Sequence, residues 1–167
     1  YDGTIAHDGQ VSQSTIESLE RLAASGRSLI LVTGRQLSDL LQIFPRIDIF
    51  RRVVAENGAV LYRPSTKEVK LLAPPPDPIL LEALSRKSVE PLYAGQCIID
   101  TRQPHENTVL ECIQALGLEH QVIFNKGAVM VLPAGVNKAF GLRAALAELQ
   151  LSAHNVVGVG DAENDNA

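Results

Sequence analysis

Two short, unbroken apolar runs constrain this chain's fold more than any other feature: Ser28-Leu-Ile-Leu-Val32 and Asn155-Val-Val-Gly-Val159. A run apolar at consecutive positions suits a strand covered on both faces, as in parallel sheets flanked by helices. Each run leads into small and polar residues, Thr33-Gly34-Arg35 in one case and Gly160-Asp161 in the other. Arg52-Val-Val-Ala55 reads as another buried strand, with Asn57-Gly58 turning it into Ala59-Val-Leu-Tyr62.

Between these strands the apolar spacing becomes helical. Ile16, Leu19, Leu22 and Ala23 predict a helix from Ser14 to Ser25, with Ser12 or Ser14 as its cap and Gly26 as its stop. A second helix is expected from Ser38 to Phe44, halted by Pro45, and a third from Lys138 to Leu149. Alternating strands and helices predict an α/β fold, a doubly wound, Rossmann-like parallel-sheet core. Pro74-Pro75-Pro76-Asp77-Pro78 interrupts that pattern as a stiff, extended linker. Beyond it come a helix (Ile79 to Lys87), a strand (Cys97 to Thr101), a helix (His105 to Leu116) and two strands (Gln121 to Asn125, Ala128 to Leu132), before Pro133-Ala134-Gly135. The expected division is a core of residues 1–73 and 133–167 with a small α/β insertion over 74–132.

Composition narrows the partners. The chain has 167 residues, 46% of them hydrophobic and 20% charged, enough for one domain with a real core and a modest insertion. Net charge is -4, and no Lys/Arg cluster forms a patch, which argues against nucleic acid. Apolar runs such as Leu29 to Val32 are too short to span a bilayer, so no membrane partner is expected. Cys97 and Cys112 lack metal-ligand spacing and read as buried thiols in a reducing, cytoplasmic compartment. The oligomeric state is left open.

In open parallel sheets, ligands bind beyond the carboxyl ends of the strands. Here the turns at those ends are Thr33-Gly34-Arg35, Gly160-Asp161, and Tyr1-Asp2-Gly3-Thr4, the last fed by a strand expected to precede residue 1. Together with Lys138 they offer carboxylates, a hydroxyl, backbone N–H groups and an ammonium. Hard carboxylate oxygens suit magnesium sharing its shell with a phosphate. The other groups suit the remaining phosphoryl oxygens. Taken singly, Asp2-Gly3 is an ordinary turn, Thr33-Gly34 a strand stop, Lys138 a solvated lysine and Gly160-Asp161 a helix cap. Their order and spacing together favour a site. His7, His105, His120 and His154 match no metal spacing, and no Gly-x-x-x-x-Gly-Lys-Ser/Thr loop occurs. Arg35 is equally open to a substrate contact or a structural one. Arg102, His105 and Glu106, in the insertion, either face the site or lie in a solvated loop.

These motifs resemble the haloacid dehalogenase superfamily of phosphatases, in particular the magnesium-dependent type IIB subgroup with an α/β cap between its second and third motifs. Tyr1-Asp2-Gly3-Thr4 matches the last four positions of the first motif, Asp-x-Asp-Gly-Thr. Leu29 to Thr33 matches the second, in its Thr-Gly-Arg form; Lys138 matches the third; Gly160-Asp161-Ala162-Glu163-Asn164-Asp165 matches the fourth. Glu56-Asn57-Gly58-Ala59 also recurs in the subgroup.

The resemblance implies a phosphomonoester hydrolase acting on a small phosphorylated metabolite, phosphosugar-like, with Mg2+ as cofactor and a cap that closes over the site. In that chemistry the first Asp of Asp-x-Asp attacks phosphorus, and the second protonates the leaving alcohol and then activates water. Asp2 corresponds to the second, as general acid/base by its side chain and metal ligand by its carbonyl. Tyr1 would offer its N–H to phosphate, Thr33 and Gly34 would bind the phosphoryl group, and Lys138 would balance its charge. Asp161 would ligate the metal, Asn164 would reach phosphate, and Asp165 would stand behind the metal ligands. The nucleophile would lie immediately before Tyr1, so the sequence reads as truncated at both ends. A sugar phosphotransferase or phosphomutase of the same fold shares these motifs. A non-catalytic phosphate-binding module is the third reading, and the residue preceding Tyr1 discriminates it.

Overall fold

The computed structural model describes residues 1–125 and 127–161. The chain divides into two compact units, one of residues 1–72 together with Asn137 onward, the other of residues 73–136.

The first unit begins with α1 (Gln13–Ala24), β1 (Ile30–Val32), α2 (Leu37–Ile43), β2 (Arg52–Ala55), β3 (Val60–Arg63) and β4 (Glu68–Leu71). The second holds α3 (Pro78–Arg86), β5 (Tyr93–Ala94), β6 (Ile99–Arg102), α4 (Glu106–Ala115), β7 (His120–Asn125) and β8 (Ala128–Pro133). The chain then returns to the first unit with α5 (Lys138–Leu149).

Local chemistry sets the helix ends. The Ser12 hydroxyl accepts a bond from the Thr15 amide at the start of α1, satisfying one of the donors a helix leaves without an internal partner. Asn137 does the same for the Phe140 amide at the head of α5. α2 ends at Phe44, immediately before Pro45, because proline cannot donate to the helix ladder.

In the first unit the strands run in the order β1-β2-β3-β4. β1 and β2 are parallel, with Ile30 opposite Arg52 and Val32 opposite Val54; β2–β3 and β3–β4 are antiparallel. The α/β class holds, and the described sheet is mixed: one parallel pair extended by two antiparallel strands. All four residues of β2 are buried, as a continuous apolar run requires. Val54, Leu61 and Ala145 form a core that unites β2, β3 and α5, with Ile30, Val32 and Leu72 packed around it. Arg52 is the charged member of β2, and Glu148 of α5 meets it at 2.9 Å. Lys70 and Arg63 approach the same carboxylate at 3.1 and 3.5 Å.

Two strands escape the sequence reading. β4 is exposed at every position, and β5 has two residues, so neither leaves an apolar signature. The reverse error occurs at Asn155-Val-Val-Gly-Val159. Ala153–Asn155 form a single 3-10 turn, residues 156–160 are not in a strand, and Val157 and Val159 are 90% and 82% exposed. An apolar run becomes a buried strand only when a neighbour takes its backbone bonds. None of the described residues forms a ladder with this segment.

The second unit is an antiparallel sheet in the order β5-β6-β8-β7. Leu80 and Leu84 of α3 pack with Val109 and Ile113 of α4 and with Ile99, Val129 and Val131 of the sheet. Cys97 and Cys112 are both free and buried. Among the described residues, no helix is long and apolar enough to cross a membrane.

Candidate active site

The site begins where β1 and β2 end. The Thr33 amide donates to the Val54 carbonyl at 2.9 Å, the Asn57 amide to the Thr33 carbonyl at 3.1 Å, and the Glu56 amide to the Arg35 carbonyl at 2.9 Å. These bonds continue the parallel pairing past β1 and fix Thr33-Gly34-Arg35 against the turn after β2. The Arg35 amide donates to Thr33 Oγ1 at 3.1 Å. That bond occupies a lone pair of the hydroxyl and leaves its own proton to donate.

The Glu56–Gly58 turn is buried and holds φ of 53°, 53° and 105° at its three residues. A left-handed backbone is easy for glycine and tolerable for asparagine, which accounts for Asn57 and Gly58. Close contact also matters on either side of the turn. A Cβ on Gly34 would meet the Asn57 side chain at 3.0 Å, and one on Gly58 would lie 2.0 Å from the Asn137 carbonyl. Through Gly58 the N-terminus of α5, and with it Lys138, is held beside the end of β2.

Tyr1-Asp2-Gly3-Thr4 forms a tight turn of its own, in which the Tyr1 carbonyl accepts from the amides of Thr4, Ile5 and Ala6. The Tyr1 ring is buried edge-on against Phe44, and its hydroxyl donates to the Gly9 carbonyl at 2.9 Å. Burial raises the Tyr1 pKa against the opposing pull of Arg35. Asp2 meets Arg35 through both carboxylate oxygens, Nε to Oδ2 at 2.6 Å and Nη2 to Oδ1 at 2.8 Å. Arg35 Nη1 reaches Asp39 of α2 at 2.6 Å, and the guanidinium lies 5.6 Å from the centre of the Tyr1 ring. The Asp2 bond, above all, raises the Arg35 pKa further.

Asp161 reaches the same turn from the far end of the described chain. Thr4 Oγ1 donates to its Oδ1 at 2.7 Å, and its Oδ2 lies 2.0 Å from where a Cβ on Gly3 would be. A side chain on Gly3 would therefore displace the carboxylate. The Asp161 carboxylate thus lies against Gly3, next in sequence to the Asp2 carbonyl, and hard oxygen donors of this kind fit magnesium, which keeps waters and needs few protein ligands. Among the described residues there is no group of three or more His, Cys, Asp or Glu side chains able to hold a metal.

The structure thus joins Asp2, Thr33 and Asp161 to one connected set of turns, with Gly34 against Asn57 and with Asn137, the residue before Lys138, against Gly58. Asn164 and Asp165 lie outside the described residues. The Asp2–Arg35–Asp39 chain is absent from the sequence reading, because Arg35 lies ahead of α2 and Asp39 in its first turn, where no helical periodicity links them. In the second unit, His105 Nε2 bonds the Glu90 carbonyl at 2.9 Å and Glu106 opens α4.

The profile of the haloacid dehalogenase-like hydrolase family matches residues 1–73 and 82–167. The chain belongs to that family. Solved structures agree in fold. A haloacid dehalogenase-like hydrolase from Bacteroides thetaiotaomicron is 19% identical with TM-score 0.78, covering 98% of this chain and 80% of that one. A phosphatase of the superfamily from the same organism is 20% identical with TM-score 0.70, covering 98% and 76%. A subclass IIB sugar phosphatase is 16% identical with TM-score 0.68, covering 90% and 74%. At these identities the likeness is one of fold. No curated protein matches the chain.

Proposed function

We propose that this chain carries the machinery of a magnesium-dependent phosphomonoester hydrolase acting on a small, phosphosugar-like metabolite through an aspartyl-phosphate. What supports the reading most is the convergence at Gly3: Asp161 seated against it, Asp2 beside it, and Asp2 linked through Arg35 to the Thr33 hydroxyl. Membership of a hydrolase family agrees with it.

In this reading the attacking carboxylate occupies the position immediately before Tyr1. Asp2 gives a proton to the departing alcohol and later takes one from water. The Thr33 hydroxyl and Gly34 N–H donate to the phosphoryl oxygens, joined by the Tyr1 N–H and by Asn164, while Lys138 balances their charge. Asp161 and the Asp2 carbonyl would hold magnesium, with Asp165 behind them; when bound, the ion neutralises charge on the phosphoryl group. The unit of residues 73–136 is assigned to substrate selection, as the cap of the type IIB architecture.

The test is phosphate release from p-nitrophenyl phosphate by protein that includes the position preceding Tyr1, followed by a panel of phosphorylated metabolites. Turnover with magnesium is expected. A protein that binds phosphate but never releases it from an ester would be a binding module instead.

A further inference from the structure

Arg35 is the least explained charged residue of the site. Its backbone already works there, the amide bonding Thr33 Oγ1 and the carbonyl accepting from Glu56. Its guanidinium is committed as well. Two of its nitrogens engage both oxygens of Asp2, the third engages Asp39, and the plane lies close to the Tyr1 ring. A planar fork against a carboxylate fixes direction as well as distance, which a lysine ammonium cannot do. Asp39 belongs to the first turn of α2 and Tyr1 is packed on Phe44, so the arginine is anchored to the scaffold before it touches Asp2.

We propose that Arg35 is the positioning residue for Asp2 in the hydrolytic half of the reaction, holding it as an oriented carboxylate ready to receive a proton from water. This rests on the hydrolase reading. Each Asp2 oxygen accepts one bond from Arg35, and each keeps a second lone pair. In the step concerned, a water proton passes to such a lone pair and the water oxygen bonds to phosphorus. The phosphorus bond to the acyl oxygen breaks, leaving its electron pair on the nucleophile's carboxylate. Forming the phosphoenzyme from an ester with a good leaving group asks no proton of Asp2, so Arg35 matters little there. Hydrolysing the phosphoenzyme asks for a base in one fixed place, so Arg35 matters much.

The experiment compares wild type, Arg35→Ala and Arg35→Lys on p-nitrophenyl phosphate with magnesium, in steady state and in the first turnover. For Arg35→Ala, kcat falls about 100-fold, in the range of a general base's contribution. KM falls with it, so kcat/KM stays within about threefold of wild type. One equivalent of p-nitrophenolate per site then appears as a burst. Arg35→Lys, which keeps the charge and loses the fork, shows the same split with a loss of about tenfold; it answers the question alone should the alanine variant not fold. Equal loss of kcat and kcat/KM without a burst overturns the inference and leaves the hydrolase reading standing. No turnover by wild type overturns both.

Discussion

Gly58 and Gly141 approach at backbone distance: a Cβ built on Gly141 would lie 2.6 Å from Gly58 Cα and 2.4 Å from Val54 Cγ1. The turn after β2 and the first turns of α5 are therefore pressed together with no side chain between them.

Gly141→Ala sets two effects against each other. Alanine inside a helix gains about 1 kcal/mol over glycine. Forcing a methyl into a filled contact costs about 1–3 kcal/mol, and here the obstacle on one side is backbone. The variant should be less stable, with a lower urea midpoint. A midpoint equal to or above wild type would mean that α5 can shift away from the turn.

Glu148→Gln tests the charge cluster behind the sheet. Arg52 holds the Glu148 carboxyl below the usual range, with Lys70 adding to the effect. A carboxyl whose folded pKa is depressed stabilises above its unfolded pKa, about 4.3, and loses that contribution as pH falls through the folded value. The variant leaves buried Arg52 without its counter-charge and should lose about 1–3 kcal/mol at neutral pH. The gap between the two proteins should begin to narrow below about pH 4 and close once pH falls below the folded value. A gap that persists unchanged into acid would point to packing instead of charge.

Asp161→Ala removes the carboxylate seated against Gly3. With Asp161 as metal ligand, the variant should lose hydrolysis of p-nitrophenyl phosphate, and EDTA should silence wild type until magnesium is restored. Gly3→Ala, whose methyl would overlap Asp161 Oδ2, should resemble Asp161→Ala in activity. Hydrolysis that survives EDTA would remove the metal from the reading.

Cys97 and Cys112, 1% and 2% exposed, should react with a thiol reagent such as DTNB only after unfolding. Both should then titrate without reductant. Rapid labelling in native buffer would show that one of them reaches solvent.

Much of this was legible in the sequence where the cause is local. The run Arg52 to Ala55, the Ser12 cap, the Asn57-Gly58 turn and the span of α5 all follow from neighbouring residues. Where the cause is remote, the sequence misleads or is silent. Glu68 to Leu71 becomes a strand because β3 offers it an edge, with Arg63 opposite Glu68. Asn155 to Val159 has the right composition and forms no ladder among the described residues. For the candidate site, motif spacing pointed to Asp2, Thr33 and Asp161. The grip of Arg35 on Asp2 spans 33 positions, and no periodicity encodes it.

Leu72 and Asn137, the residues at which the chain leaves the first unit and returns to it, are fastened to adjacent positions. The Leu72 amide donates to the Ala59 carbonyl at 2.8 Å, and the Asn137 carbonyl abuts Gly58. The 64 residues of Ala73–Val136 are in effect spliced into one turn, as a graft is set into a single cut. A graft with both ends so close can lengthen, shrink or be exchanged at small cost to the first unit's sheet, since loop closure depends only weakly on length. Selection can therefore rewrite that unit while the turns carrying Asp2 and Thr33 inherit their spacing intact.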